Sequence, residues 1–193
     1  MDKPGGEHID QFLSKPVSPS HLFDAVMAAF GVVAEGGRRK KAGRESDLEA
    51  LRPVQGAHIL LVEDNEINQQ VASEILEQAG FYVDIADHGQ DALDMLGERD
   101  YDCVLMDVQM PVMDGFTATG KIREQAKYAE LPVLAMTANA TVEDREKSLA
   151  AGMNEHIAKP INPQVLFEAL LKWISHGERE LPEGFEASSS IDD

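Results

Sequence analysis

Five side chains able to do chemistry each stand at the end of a short apolar run or directly after it. Glu63 and Asp64 follow HILLV (58–62), Asp107 closes CVLMD (103–107), Thr137 closes PVLAMT (132–137), and Lys159 follows HIA (156–158). Brought to one place, the three carboxylates repel: a pair about 4 Å apart costs on the order of 4 kcal/mol at an effective dielectric of about 20. A divalent cation removes that cost, and oxygen ligands with solvent access favour Mg²⁺, which takes few carboxylates and keeps several waters. With the dication and Lys159 the formal charge of the set comes to about zero. A site of this kind suits phosphoryl transfer. The cations neutralise phosphoryl oxygens, one rigidly held carboxylate attacks phosphorus in line, and the Thr137 hydroxyl donates a hydrogen bond to a phosphoryl oxygen. In YDCVLMDVQMPVMDGF (101–116) the apolar run stops on Asp107 and turns at once into Met-Pro and Asp-Gly. A strand-end nucleophile needs such a receding loop, which could also lend the metal the backbone carbonyl of Gln109.

The elements that must position these groups repeat one pattern, a short apolar run and then a helical period. HILLV precedes Asn65–Gly80, where Ile67, Val71, Ala72, Ile75, Leu76 and Ala79 share one helical face and Gly80 suits the position after the last turn. YVDIA (82–86) leads to a helix over Gln90–Glu98, CVLM to one over Phe116–Lys127, and PVLAMT to one opened by Thr141 with Asp144 three residues on. HIA leads to a helix capped by Asn162 with Pro163 in its first position, its inner face lined by Val165, Leu166, Ala169, Leu170, Trp173 and Ile174. Five such units imply an α/β fold with a parallel sheet covered on both faces. Sites in such sheets form beyond the carboxyl ends of the strands, where the five side chains fall. Asp114 shapes the loop before Gly115, Thr117 and Thr119 read as helix surface, and Cys103 as core.

The 193 residues carry a formal charge of −18, which argues against a nucleic-acid partner and favours cations or basic surfaces. One cysteine excludes an internal disulfide framework and a cysteine-based zinc cluster, and fits a reducing, cytoplasmic setting. No apolar run approaches the length of a membrane span, so no membrane contact is expected from this segment, although a parent chain could carry an anchor. Composition divides the chain into residues 1–35, a polar and locally basic linker at 36–55, the dense α/β part at 56–177, and an acidic, Ser-rich flexible tail at 178–193.

The stretches LLVEDNEINQQV (60–71), VLMDVQMPVMDGFTATGKIR (104–123), PVLAMTANA (132–140) and HIAKPIN (156–162), in this order and spacing, make residues 57–176 similar to a receiver domain of the two-component response-regulator family. The resemblance implies a flavodoxin-like doubly wound (βα)5 fold with strand order 2-1-3-4-5. It implies phosphorylation of Asp107 from a phosphohistidine, with Mg²⁺ held by Glu63, Asp64, Asp107 and the Gln109 carbonyl, and with Thr137 and Lys159 on the phosphoryl group. Thr137 and His156 occupy the positions of the family's switch pair, and the Lys159–Pro160 bond is commonly cis there. Implied partners are a histidine kinase or a histidine phosphotransfer domain. FLSKPVSPSHLFDAVMAAF (12–30) aligns without a gap on HIAKPINPQVLFEALLKWI (156–174), so the first 35 residues resemble the C-terminal end of a second receiver. A piece of a hybrid sensor histidine kinase with tandem receivers is the expectation, its unpaired first helix available for self-association. Catalysis by this segment would be limited to its own phosphotransfer and dephosphorylation. The alternative is a pseudo-receiver that only docks, which would predict lost acidic or Lys positions. A phosphatase of the haloacid-dehalogenase type would need an acid at position 109, where Gln stands, and GFTATGKI (115–122) lacks the Ser or Thr that a P-loop requires after its Lys.

Overall fold

The computed structural model describes residues 48–138, 141–183 and 185. The expected receiver remnant at 1–35 with its unpaired helix, residues 36–47 of the linker and residues 184 and 186–193 of the tail lie outside the described residues. The elements run β1 (His58–Val62), α1 (Glu66–Gln78), β2 (Tyr82–Ala86), α2 (Gly89–Glu98), β3 (Cys103–Asp107), α3 (Gly115–Arg123), β4 (Val133–Thr137), α4 (Val142–Ala150), β5 (Glu155–Ala158) and α5 (Pro163–Trp173). The strands form one parallel sheet in the order β2-β1-β3-β4-β5. This is the flavodoxin-like arrangement expected from the sequence. Helices cover both faces, so β3 and β4 are buried at every position.

Each helix starts where a polar side chain can take up its free N–H groups. Asn65 accepts from the N–H of Ile67 and Asn68, Asp114 from Thr117, Thr141 from Asp144, and Asn162 from Gln164. Gly80, at φ +90, closes α1 with its N–H on the Glu77 carbonyl. The third helix is shorter than its periodicity suggests. It ends at Arg123, Gln125 turns extended, and Ala126–Tyr128 forms a 3-10 turn. The break lets Tyr128 turn inward, where its hydroxyl donates to the Leu96 carbonyl, while Arg123 Nη1 binds the Tyr128 carbonyl at 2.8 Å. Two expected inner-face residues are exposed, Ile67 in the first turn of α1 (70 %) and Val165 in the first turn of α5 (46 %). Both turns lie at the end of the sheet where the strands stop, and the core does not extend beneath them.

Registers align the strand ends. Val62 pairs with Ala86 and with Met106, Asp107 pairs with Met136, and Thr137 with Ala158. Residues 63, 107, 137 and 159 therefore meet at one edge.

The described parts of the flanking segments lie against the opposite edge. Leu51 and Val54 are fully buried, and the Gly177 N–H donates to the Pro53 carbonyl at 2.9 Å. Arg179 Nη2 pairs with Asp102 Oδ1 at 2.9 Å, while Asp102 Oδ2 accepts the N–H of His58 at 2.9 Å. One carboxylate thus ties the chain after α5 to the start of β1. Arg179 Nη1 is buried with no partner among the described residues, which limits the net gain. Arg179→Ala is expected to lower stability by about 1–2 kcal/mol, read as a lower urea midpoint with an unchanged slope. An unchanged midpoint would mean that the pair contributes nothing.

Candidate functional site

Asp107 is the last residue of β3 and is 4 % exposed. Its Oδ1 accepts the N–H of Gln109 at 3.0 Å and its Oδ2 accepts Lys159 Nζ at 2.5 Å. Glu63 follows β1 and is 2 % exposed, with its N–H on the Ala86 carbonyl. Its Oε2 accepts the same Lys159 Nζ at 2.5 Å. Carboxylate oxygens of Glu63, Asp64 and Asp107 lie within 4.8 Å of one another, with Asp64 on the exposed side. Lys159 follows β5; its backbone N–H donates to the Thr137 carbonyl at 2.8 Å, and its bond to Pro160 is cis.

The electrostatics of the cluster are lopsided. Burial pushes the Asp107 carboxyl above the ordinary aspartate value, and the bonds from Lys159 and Gln109 do not cancel that rise. Burial alone would lower Lys159, but its hydrogen bonds to Asp107 and Glu63 hold it above the ordinary lysine value. One ammonium bonds Glu63 and Asp107, with Asp64 beside them, so three carboxylates share a single positive charge. A formal deficit of two positive charges among oxygen donors alone fits a hard dication.

The loop after β3 is held close to Asp107. Asp114 caps α3 through the Thr117 N–H at 2.8 Å, and the Gly115 N–H returns to the Val108 carbonyl at 3.1 Å. A Cβ on Gly115 would stand 2.2 Å from the Asp107 carbonyl oxygen and 3.0 Å from Val108 Cα. Both contacts are backbone and cannot swing aside. Gly115→Ala is expected to cost about 3 kcal/mol of stability and to slow any reaction at Asp107, measured by thermal unfolding and phosphorylation rate. A variant as stable and as fast as the parent would show the loop to be pliant. Nearby, Val112 sits at φ +65, a conformation that a β-branched residue seldom adopts.

Thr137 closes β4 at 6 % exposure. His156 pairs with Ala135, two residues before Thr137, so Thr137 and His156 project from the same sheet face. Both ring nitrogens of His156 are buried with no partner among the described residues. It lines a small cavity with Arg145, Ser148, Leu149 and Glu155. The Cys103 thiol is fully buried and pushed up by that burial, as suits a core residue. Thr119, expected at the surface, is buried, with its hydroxyl on the Gly115 carbonyl at 2.7 Å.

The structure thus brings Glu63, Asp64, Asp107 and Lys159 together, sets Thr137 at the same edge and places Gln109 in the loop after Asp107. Sequence reasoning missed the bracing around Glu63. Its Oε1 accepts Asn68 Nδ2 at 3.0 Å and the Asn65 N–H at 3.3 Å. Gln69 Nε2 binds the Glu63 carbonyl at 2.6 Å and Asp87 Oδ1 at 2.8 Å. The available signal was the polar run directly after the strand, whose first helical turn folds back over the strand end.

Comparison with known proteins places these features in a family. Residues 59–171 match the family model described as response regulator receiver domain. Hybrid signal transduction histidine kinase I of Dictyostelium discoideum is 40 % identical over 119 residues, which cover 58 % of this chain and 7 % of that protein. This chain therefore spans only a small part of that relative. The receiver domain of sensor histidine kinase PA1611 from Pseudomonas aeruginosa PAO1, crystallised with a magnesium ion coordinated in its active site cleft, is 42 % identical with a TM-score of 0.58, covering 61 % of this chain and 97 % of that one. The receiver domain of Ssk1 from Saccharomyces cerevisiae, solved with the histidine phosphotransfer protein Ypd1, appears in a match of 29 % identity and TM-score 0.58, covering 62 % of this chain and 89 % of the matched one. Among the described residues no helix is long and apolar enough to cross a membrane. With its strand order, its acidic strand-end cluster and more than half its length matched by the family model, this chain belongs to the response regulator receiver domain family.

Proposed function

We propose that this chain accepts a phosphoryl group on Asp107 from a phosphohistidine, as one step of a histidine-to-aspartate relay. The observation that carries this reading is the shared Lys159 ammonium, 2.5 Å from both Asp107 and Glu63 in a cluster that remains two positive charges short. Glu63, Asp64, Asp107 and the Gln109 backbone carbonyl would hold Mg²⁺, which would supply the missing positive charge beside the phosphoryl oxygens. The magnesium site of the PA1611 receiver supports this assignment.

In the transfer, one Asp107 oxygen attacks phosphorus and the P–N bond to the donor imidazole breaks. The leaving imidazole nitrogen keeps the electron pair of that bond and takes a proton from solvent, so the products are an aspartyl phosphate and a neutral imidazole. Lys159 then turns part of its bonding from Asp107 to a phosphoryl oxygen, and Thr137 donates a hydrogen bond to another. Thr137 and His156, on one sheet face, are the pair through which the modified site would be read. Hydrolysis of the acyl phosphate regenerates Asp107.

The donor would be a kinase or a histidine phosphotransfer domain, in keeping with the Ssk1–Ypd1 complex. The parent chain would be a hybrid histidine kinase, a reading supported by the kinase relative, of which this chain spans a small part, and this segment would act in the cytoplasm. The test is intact mass after incubation with acetyl phosphate and Mg²⁺. The expected result is one added phosphoryl group, absent with EDTA. If neither acetyl phosphate nor a phosphohistidine donor adds it while Mg²⁺ still binds, the chain is a docking module instead.

A further inference from the structure

Glu63 poses a positioning problem that an aspartate would not. Its extra methylene adds one torsion and carries the carboxylate further from the strand. Left to itself, such a group samples several rotamers, and a cation would have to freeze it on binding. The structure shows how that freedom is removed. Oε2 accepts Lys159 Nζ at 2.5 Å, and Oε1 is drawn to the other side by Asn68 Nδ2 at 3.0 Å and the Asn65 N–H at 3.3 Å. The backbone of Asn68 is held in the first turn of α1, its N–H donating to the Asn65 cap at 3.1 Å. The backbone of Glu63 is anchored through Gln69 Nε2 at 2.6 Å.

We propose that Asn68 is a positioning residue for cation binding: its amide sets the rotamer of Glu63, so that the carboxylate is presented towards Asp64 and Asp107 before a cation arrives. Asn68 touches neither the phosphoryl group nor Asp107 in this role. It acts through Glu63, and its amide matters only because position 63 carries the longer acid. This inference rests on the Mg²⁺ assignment above and assigns a determinant of affinity within it. Groups that orient metal ligands in this way change metal affinity by about 10–100-fold when removed.

The experiment is a double-mutant cycle read by calorimetric Mg²⁺ titration of the 193-residue chain, using the parent, Asn68→Ala, Glu63→Asp and the double variant. Asn68→Ala is expected to raise the Mg²⁺ dissociation constant about tenfold in the Glu63 background. In the Glu63→Asp background the shorter carboxylate falls out of reach of Asn68, and the same substitution is expected to change the constant less than about twofold. Melting in EDTA is expected to fall only modestly in Asn68→Ala, because the bond lost to Glu63 is offset in part by alanine's better helix propensity at this exposed position. Equal losses in both backgrounds, or no loss in either, would overturn the proposal while leaving the metal site intact. Failure of the parent chain to bind Mg²⁺ would overturn the proposed function and this inference with it.

Discussion

Lys159→Met is expected to slow phosphorylation of Asp107 by about 10²–10³-fold, the usual cost of losing one preorganised donor at a developing charge. The same substitution is expected to tighten Mg²⁺ binding, because the ammonium and the cation compete for the same Glu63 and Asp107 oxygens. A residue that merely held the fold would not move the two readouts in opposite directions. Stability should change as well. Burial already raises the Asp107 carboxyl, and removing Lys159 deletes what opposes that rise while leaving the Glu63 charge beside it. A folded-state value above the unfolded one contributes stability that is fully present below the unfolded pKa, about 3.9, and is lost as pH rises through the folded value. In the parent, the raised Lys159 contributes stability below about pH 10.4 that is lost as pH climbs through its folded value. The deficit of the variant should therefore be small in acid and grow towards neutrality, reaching about 3 kcal/mol when both carboxylates are forced to ionise. Urea midpoints between about pH 4 and about pH 8 would show this, and added Mg²⁺ should recover part of the loss. Parallel midpoint curves for parent and variant would contradict the charge balance described here.

The second large effect concerns Asp64. It is the exposed member of the cluster, so Asp64→Asn should leave stability within about 0.5 kcal/mol of the parent. Its oxygens are free of the Lys159 contact that occupies Glu63 and Asp107, which leaves them the best placed to meet an incoming cation. Mg²⁺ affinity should fall by about a hundredfold or more, and metal-dependent phosphorylation should fail at concentrations that saturate the parent. EDTA treatment of the parent should reproduce the variant. A folded Asp64→Asn chain that binds Mg²⁺ and gains a phosphoryl group as the parent does would remove Asp64 from the ligand set.

The sheet and the placement of the cluster were legible because buried strands must end somewhere, and each end is marked by a charged or hydroxyl residue directly against an apolar run. Parallel pairing then does the rest: a shift of one residue between β1 and β3 or between β3 and β4 would move Asp107 or Thr137 off the shared edge. Periodicity was less informative at helix ends. Ile67 and Val165 continue the apolar stripes of α1 and α5 but lie in first turns beyond the core, and a stripe does not record how far the sheet extends beneath it. Thr119 reads as helix surface in the sequence, yet its hydroxyl is satisfied by the Gly115 carbonyl one turn back, which permits full burial. The end of α3 depended on Tyr128 finding the Leu96 carbonyl, a contact 32 residues away in sequence. The Asn68 and Gln69 bonds were hidden for a related reason. Both residues suit an exposed helical turn, and only the fold places that turn over the end of β1. Likewise Arg179 and Asp102 are 77 residues apart, and nothing in the acidic composition after residue 177 indicates that its one arginine pairs at the start of β3.

The most direct test is transfer from a phosphohistidine donor. A histidine phosphotransfer protein carrying a radiolabelled phosphoryl group is mixed with the chain and Mg²⁺, and the label is followed onto the parent and onto Asp107→Asn. The relay reading predicts that label leaves the donor, appears on the parent, requires the metal and never appears on Asp107→Asn. Label that stays on several such donors while the parent binds Mg²⁺, or that transfers equally well to Asp107→Asn, would contradict it.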